Sequence, residues 1–121
     1  MILTVTFNPC VDKTVFVRVN EVGRIIRADS VKCIAGGKGV NVARVLKNLG
    51  ADVLAFVILG GHTGEIIRDL AEQERIKLHV VWISQPSRTV ITVLETSTGV
   101  QTAYVEPGPS VSDREKRRIL G

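Results

Sequence analysis

The sequence predicts an α/β fold, a parallel sheet flanked by helices, with a small second β-sheet standing off from it. Three observations carry that reading. Val53-Leu54-Ala55-Phe56-Val57-Ile58-Leu59 is an unbroken apolar run, typical of a central parallel strand. It belongs to an alternation of strand, helix, strand, helix and strand, which is a repeated βαβ pattern. Four other segments, at about 14–19, 31–34, 89–95 and 100–105, are alternating or β-branched and suit strands with only one covered face.

Ile2 to Phe7 is apolar apart from its threonines, so it reads as a first strand buried on both faces, and Asn8-Pro9 ends it. Asp12 then falls just past the C-terminal edge of that strand, the edge where open α/β sheets bind ligands. A turn-capping aspartate is the plainer reading of the same residue. From Thr14 to Val19, Val15, Val17 and Val19 alternate with Phe16 and Arg18; a glycine turn follows, and Val31 to Ile34 is a short return strand.

Ala35-Gly36-Gly37-Lys38-Gly39 is a glycine-rich turn that runs into an amphipathic helix. Its apolar positions Val42, Val45, Leu46 and Leu49 fall on one face, opposite Arg44, Lys47 and Asn48, and Gly50 supplies the stop. Glycines here let the backbone approach a ligand closely, and the free N–H groups of a helix start favour an anion. A tight strand-to-helix connection without a ligand is the alternative. The turn is not a nucleotide P-loop, which needs Ser or Thr after its lysine where Gly39 and Val40 stand, and it lacks the glycine spacing of the dinucleotide fingerprint.

Gly60-Gly61-His62-Thr63-Gly64 reads as a loop, with His62 a polar loop residue. A second helix is expected from about Glu65 to Arg75, with Ile66, Ile67, Leu70 and Ala71 inward, and Leu78 to Ile83 is a third strand. Thr96-Ser97-Thr98-Gly99 joins two β-branched runs as a hairpin, with Arg88 at its start. Ser112-Asp113-Arg114-Glu115 is a capping-box opening to a further helix.

The 121 residues, 45% hydrophobic and 23% charged, suit one globular unit. The formal net charge of +4 is scattered, and the cluster Arg114, Lys116, Arg117 and Arg118 reads as a solvated helix face, so nucleic acid is not expected as a partner. Cys10 and Cys33 offer neither zinc spacing nor a disulfide framework, which fits buried thiols in a reducing cytoplasm, and no metal site is expected. No apolar run approaches the ~18 residues of a bilayer span and no leader pattern opens the chain, so no membrane association is expected. Three parallel strands and a helix begun only at the end leave apolar surface uncovered, and on that ground a truncated chain is expected.

The segments Thr4-Val5-Thr6-Phe7-Asn8-Pro9-Cys10-Val11-Asp12, Gly36-Gly37-Lys38-Gly39-Val40-Asn41-Val42-Ala43, Leu59-Gly60-Gly61 and Arg88-Thr89 occur in this order. With them the chain resembles, over essentially its whole length, the N-terminal part of the ribokinase/phosphofructokinase-B family of sugar kinases. The branch with 1-phosphofructokinase and tagatose-6-phosphate kinase is the nearest in pattern. The resemblance implies a ribokinase-like fold in which residues 1–121 are the N-terminal part of one kinase domain and the accessory strands are its lid. In several family members that lid pairs two subunits, which allows a homodimer here. The implied activity is ATP-dependent phosphorylation, with Mg²⁺, of a ketohexose phosphate such as fructose 1-phosphate, tagatose 6-phosphate or fructose 6-phosphate.

By that family pattern Asp12 binds sugar hydroxyls, Gly36 and Gly37 offer backbone donors, and Asn41 orients the sugar. Lys38 is the matching basic position, and Arg88, with Arg24 as a second candidate, would grip the phosphate the substrate carries. The family's catalytic base lies in a Gly-Ala-Gly-Asp type motif that this sequence lacks, and most of the ATP site goes with it. No catalytic residue is therefore expected in this chain, which by itself should be inactive. A non-catalytic sugar-phosphate binding or regulatory module is the competing reading, and a nucleotide-binding α/β protein of unrelated mechanism is a third.

Overall fold

The computed structural model describes residues 1–121. In chain order the elements are β1 (Ile2–Thr6), β2 (Cys10–Val17), β3 (Ser30–Gly36), α1 (Lys38–Asn48), β4 (Val53–Gly60), α2 (Gly61–Gln73), β5 (Leu78–Ile83), β6 (Arg88–Glu95), β7 (Gln101–Val105) and α3 (Asp113–Leu120). They form two sheets. The first is parallel throughout, in the order β1-β4-β5, and is the sheet expected from the βαβ pattern. The second runs β3-β2-β6-β7 and is mixed: β2 pairs antiparallel with β3 but parallel with β6, and β6 closes the hairpin with β7.

β4 is the most buried strand, as its continuous apolar run requires. Val53, Ala55, Val57 and Leu59 meet Val40 and Ala43 of α1 and Ile67 and Ala71 of α2 in one cluster. Val11 and Ala35 belong to the same cluster, so the core continues from the parallel sheet into the root of the accessory sheet. The two sheets are thereby held by shared packing.

Several elements differ from the sequence expectation. β2 begins at Cys10, so Asp12 is a residue of the accessory sheet and not of a turn beyond β1. β1 is not buried on both faces: Thr4 and Thr6 point inward, while Leu3 and Val5 are exposed. It lies at the edge of a three-stranded sheet, and only one of its faces is covered by α1. On α1 the buried residues are Val40 and Ala43, with Leu46 packed beside them as expected, while Val42, Val45 and Leu49 are exposed, so the helix is rotated from the expected face. Gly39 and Ala43, one turn apart and small, let the helix axis come close to β1 and β4, and that close approach decides the rotation. α2 starts at Gly61, earlier than expected, and takes His62 into its first turn; Ile67 and Ala71 face inward but Ile66 is exposed.

α3 opens with both halves of the capping box. Ser112 Oγ accepts from the Glu115 N–H at 3.1 Å, and the Glu115 carboxylate accepts from the Ser112 N–H at 3.0 Å. The same carboxylate accepts from the Ser84 N–H at 2.8 Å, tying the helix to the end of β5.

Candidate functional site

The turn between β3 and α1 is built by close approach to its own chain. Gly37, the residue that caps α1, has φ 118°, and a Cβ there would meet Thr6 Cγ2 at 2.7 Å and Pro9 Cα at 3.2 Å. Only glycine suits both the dihedral and the space. A Cβ on Gly36 would meet Cys10 Sγ at 2.8 Å and the Asp12 Cβ at 3.0 Å. The glycine pair therefore lets β2 and β3 bring the Asp12 carboxylate against the turn, Asp12 Oδ2 lying 3.6 Å from that Cβ position.

Helix α1 begins immediately after. No side chain caps it and its first turn holds no acid, so the partial positive charge of its N-terminus is not offset by a neighbouring carboxylate of the helix. Lys38, the first helical residue, is exposed and adds a full charge at the same end.

Arg88 starts β6 and stands in register beside Cys10, so it lies one strand away from Gly36 across β2. Its guanidinium donates to the Asn8 carbonyl at 3.0 Å and the Glu106 carbonyl at 3.3 Å. Its Nε is buried without a partner. Asn8 in turn donates from Nδ2 to the Pro107 carbonyl, and the Glu106 carboxylate accepts from the Thr89 N–H at 2.8 Å. Asn8, Arg88 and the segment after β7 thus form one connected latch over the start of β6.

Thr6, Asn8, Lys38, Gly39 and Arg88 share a cleft of about 280 Å³ with the side chains of Val5 and Phe7. The hydroxyl of Thr6 and the side-chain oxygen of Asn8, both among its linings, are buried without partners. Such groups cost free energy unless a ligand or solvent meets them, which is usual at a binding site. Cys10 lies between Asp12 and Arg88; burial pushes its thiol pKa up, Arg88 opposes this and Asp12 adds to it.

Of the seven residues singled out in the sequence, Asp12 and Gly36 are in contact and Gly37 adjoins them, while Lys38 and Arg88 line one cleft. Asn41 lies one turn into α1, where its side-chain oxygen accepts from Arg44 Nη1 at 2.8 Å. Arg24 stands apart: it is exposed in the connection between β2 and β3 and pairs with Glu21 at 3.5 Å.

Arg44 was expected on the solvent side of α1. It is instead half-buried, and donates from Nε and Nη2 to the two carboxylate oxygens of Glu74 at 2.7 and 2.8 Å. The i,i+3 spacing from Asn41 to Arg44 was the signal that could have found the contact. The partner Glu74, 30 positions on, left no local trace. Nowhere does the chain bring three His, Cys, Asp or Glu side chains together as a metal would require, so these residues do not by themselves fit a Mg²⁺ site.

Comparison with known proteins gives the family and the fold. The profile of the pfkB family carbohydrate kinases matches residues 5–117. Tagatose-6-phosphate kinase of Staphylococcus epidermidis is 38% identical over 119 residues, covering 98% of this chain and 38% of that protein. 1-Phosphofructokinase of Haloferax volcanii is 43% identical over 95 residues, or 78% of this chain and 31% of the relative. Among solved structures, phosphofructokinase-2 from Escherichia coli in complex with fructose-6-phosphate superposes with a TM-score of 0.91 at 28% identity, over 98% of this chain and 39% of that one. A possible 1-phosphofructokinase from Thermotoga maritima gives 0.90 at 30% identity, over 99% and 39%. The chain thus spans about two fifths of the length of the relatives it matches.

Proposed function

The chain belongs to the pfkB family of carbohydrate kinases and has their ribokinase-like fold, and from that premise we propose that it supplies the substrate-holding part and lid of a phosphosugar kinase. The substrate is a ketohexose phosphate such as fructose 1-phosphate, tagatose 6-phosphate or fructose 6-phosphate, and ATP is the phosphoryl donor. The observation that carries this reading is the placement of Asp12 against the glycine turn, with Arg88 in the next strand and Lys38 at the open helix start.

The chemistry is complementary. An ionised Asp12 carboxylate only accepts hydrogen bonds, which suits the hydroxyl donors of a sugar. Arg88, with an unpartnered buried Nε, and Lys38 suit the oxygens of a phosphate; an arginine fork can meet two of them at once. Phosphoryl transfer depends mainly on positioning and charge neutralisation, and ATP with Mg²⁺ supplies the group that moves. The residues here bind and orient the acceptor; the base that takes the hydroxyl proton is assigned to the part of the kinase beyond this chain's motifs. The accessory sheet acts as the lid and as the face through which two copies pair, and the enzyme works in the cytoplasm. No helix of the chain is long and apolar enough to cross a membrane.

The test is ADP release by the full-length protein with ATP and each of the three ketohexose phosphates. Turnover of at least one, and none of unphosphorylated fructose, is the expected result. Phosphosugar binding without any ADP release would instead establish the non-catalytic binding module.

A further inference from the structure

We propose that Arg44 is a positioning residue for the sugar site, fixing both the Asn41 carboxamide and the glycine turn from behind. The inference rests on the phosphosugar-kinase reading above. Four of the five guanidinium N–H groups are engaged: Nε and Nη2 on the Glu74 carboxylate, the second Nη2 hydrogen on the Ala35 carbonyl at 2.5 Å, and Nη1 on Asn41 Oδ1 at 2.8 Å. Ala35 is fully buried and directly precedes Gly36. One planar group thus joins the end of β3, the start of α1 and the C-terminal end of α2, where Lys47 also donates to the Glu74 carbonyl.

The direction of the Asn41 contact has a chemical consequence. A carboxamide can present either its oxygen or its NH₂, and Arg44, having no acceptor, holds only the oxygen. The Asn41 NH₂ is thereby not engaged by Arg44, on a residue that is exposed one turn into α1. On the phosphosugar-kinase reading, Asp12 offers the sugar a hydrogen-bond acceptor and Asn41 a donor. A lysine at position 44 keeps the charge but cannot span Glu74, Ala35 and Asn41 together.

The experiment compares wild type, Arg44→Lys, Glu74→Gln and Asn41→Asp in the full-length protein. Side-chain amide resonances of Asn41 in selectively ¹⁵N-labelled protein report the contact without requiring activity. In Arg44→Lys they should move and exchange with solvent faster. Arg44→Lys should also raise the KM for the phosphosugar about tenfold with the KM for ATP unchanged, whereas Glu74→Gln, at an equal or greater loss of Tm, should raise it less than about threefold. Asn41→Asp keeps an acceptor for Arg44 and deletes the donor, so KM should rise about tenfold with little change in Tm. Superimposable Asn41 resonances in wild type and Arg44→Lys would overturn the proposal, as would KM changes that merely follow Tm across the variants. Should wild type turn over no phosphosugar, the kinase reading fails, while the Asn41 resonances still decide whether Arg44 sets the carboxamide.

Discussion

Arg88 holds two carbonyl oxygens of its own chain, those of Asn8 and Glu106, in addition to its proposed hold on substrate phosphate. Arg88→Ala should therefore raise the KM for phosphosugar far more than that for ATP, by an amount worth ~1.5–3 kcal/mol, and also loosen the latch after β7. Steady-state kinetics with each substrate varied in turn checks this; an equal rise in both constants would count against the phosphate role. Gly37→Val meets Thr6 and Pro9 as well as an unfavourable φ of 118°, so the variant is expected to lose folding stability together with sugar binding, read as a lower Tm and lost turnover. Acid sensitivity is set in part by Glu74. The hydrogen bonds from Arg44 hold its carboxyl below the ordinary 4.5, with burial opposing and the charges of Arg44 and Lys47 assisting. A depressed folded-state pKa contributes stability that is present above 4.5 and lost as pH falls through the folded value. Glu74→Gln should accordingly cost about 1–2 kcal/mol at neutral pH and show a flatter loss of stability below pH 4.5 than wild type, as denaturant titrations across that range would reveal.

At the scale of elements, period and composition made the parallel layer legible: β4, β5, the β6–β7 hairpin and the Ser112 cap of α3 lie where apolar runs, β-branched runs and the capping box put them. The rotation of α1 was not legible. Its sequence carries two overlapping apolar stripes, the expected Val42-Val45-Leu46-Leu49 and Val40-Ala43-Leu46, which share Leu46, and the close approach allowed by Gly39 and Ala43 selects the second. Of the candidate site, the glycine-rich turn into α1 at Gly36, Gly37 and Lys38 was legible as a local motif. The contacts that tie Arg88 to Asn8 and Arg44 to Glu74 cross 80 and 30 positions and have no local pattern. The outward stripe of α1 and the open face of β1, with Leu3 and Val5, expose several large apolar side chains. On the proposed kinase reading the rest of the enzyme covers them, so Val45→Asp in that enzyme should lower Tm sharply, because a charge without a partner would then be buried. A thermal melt unchanged from wild type would mean that this stripe of α1 faces solvent.

At the scale of the whole molecule, the parallel layer holds a rigid core while the accessory sheet projects from it with β3 and β7 on its edges. β7 is exposed along its length, including Tyr104 and Val105, and Val31 of β3 is exposed at the other margin. Unprotected edges of this kind pair readily with other strands. On the proposed pairing of two copies through this sheet, wild type should sediment as a dimer at micromolar concentration and Tyr104→Glu with Val31→Glu as a monomer; equal sedimentation coefficients would count against pairing through these edges. The parallel pairing of β2 with β6 also sets the order in which the chain can mature on the ribosome. β2 and β3 emerge early, yet the central neighbour of β2 is not made until β4, α2 and β5 have followed, and the Asn8 to Arg88 contact closes a separation of 80 positions. The nascent protein must therefore carry an open β2 edge while its parallel layer folds, which makes the accessory sheet the slow, late-forming and aggregation-exposed part of synthesis.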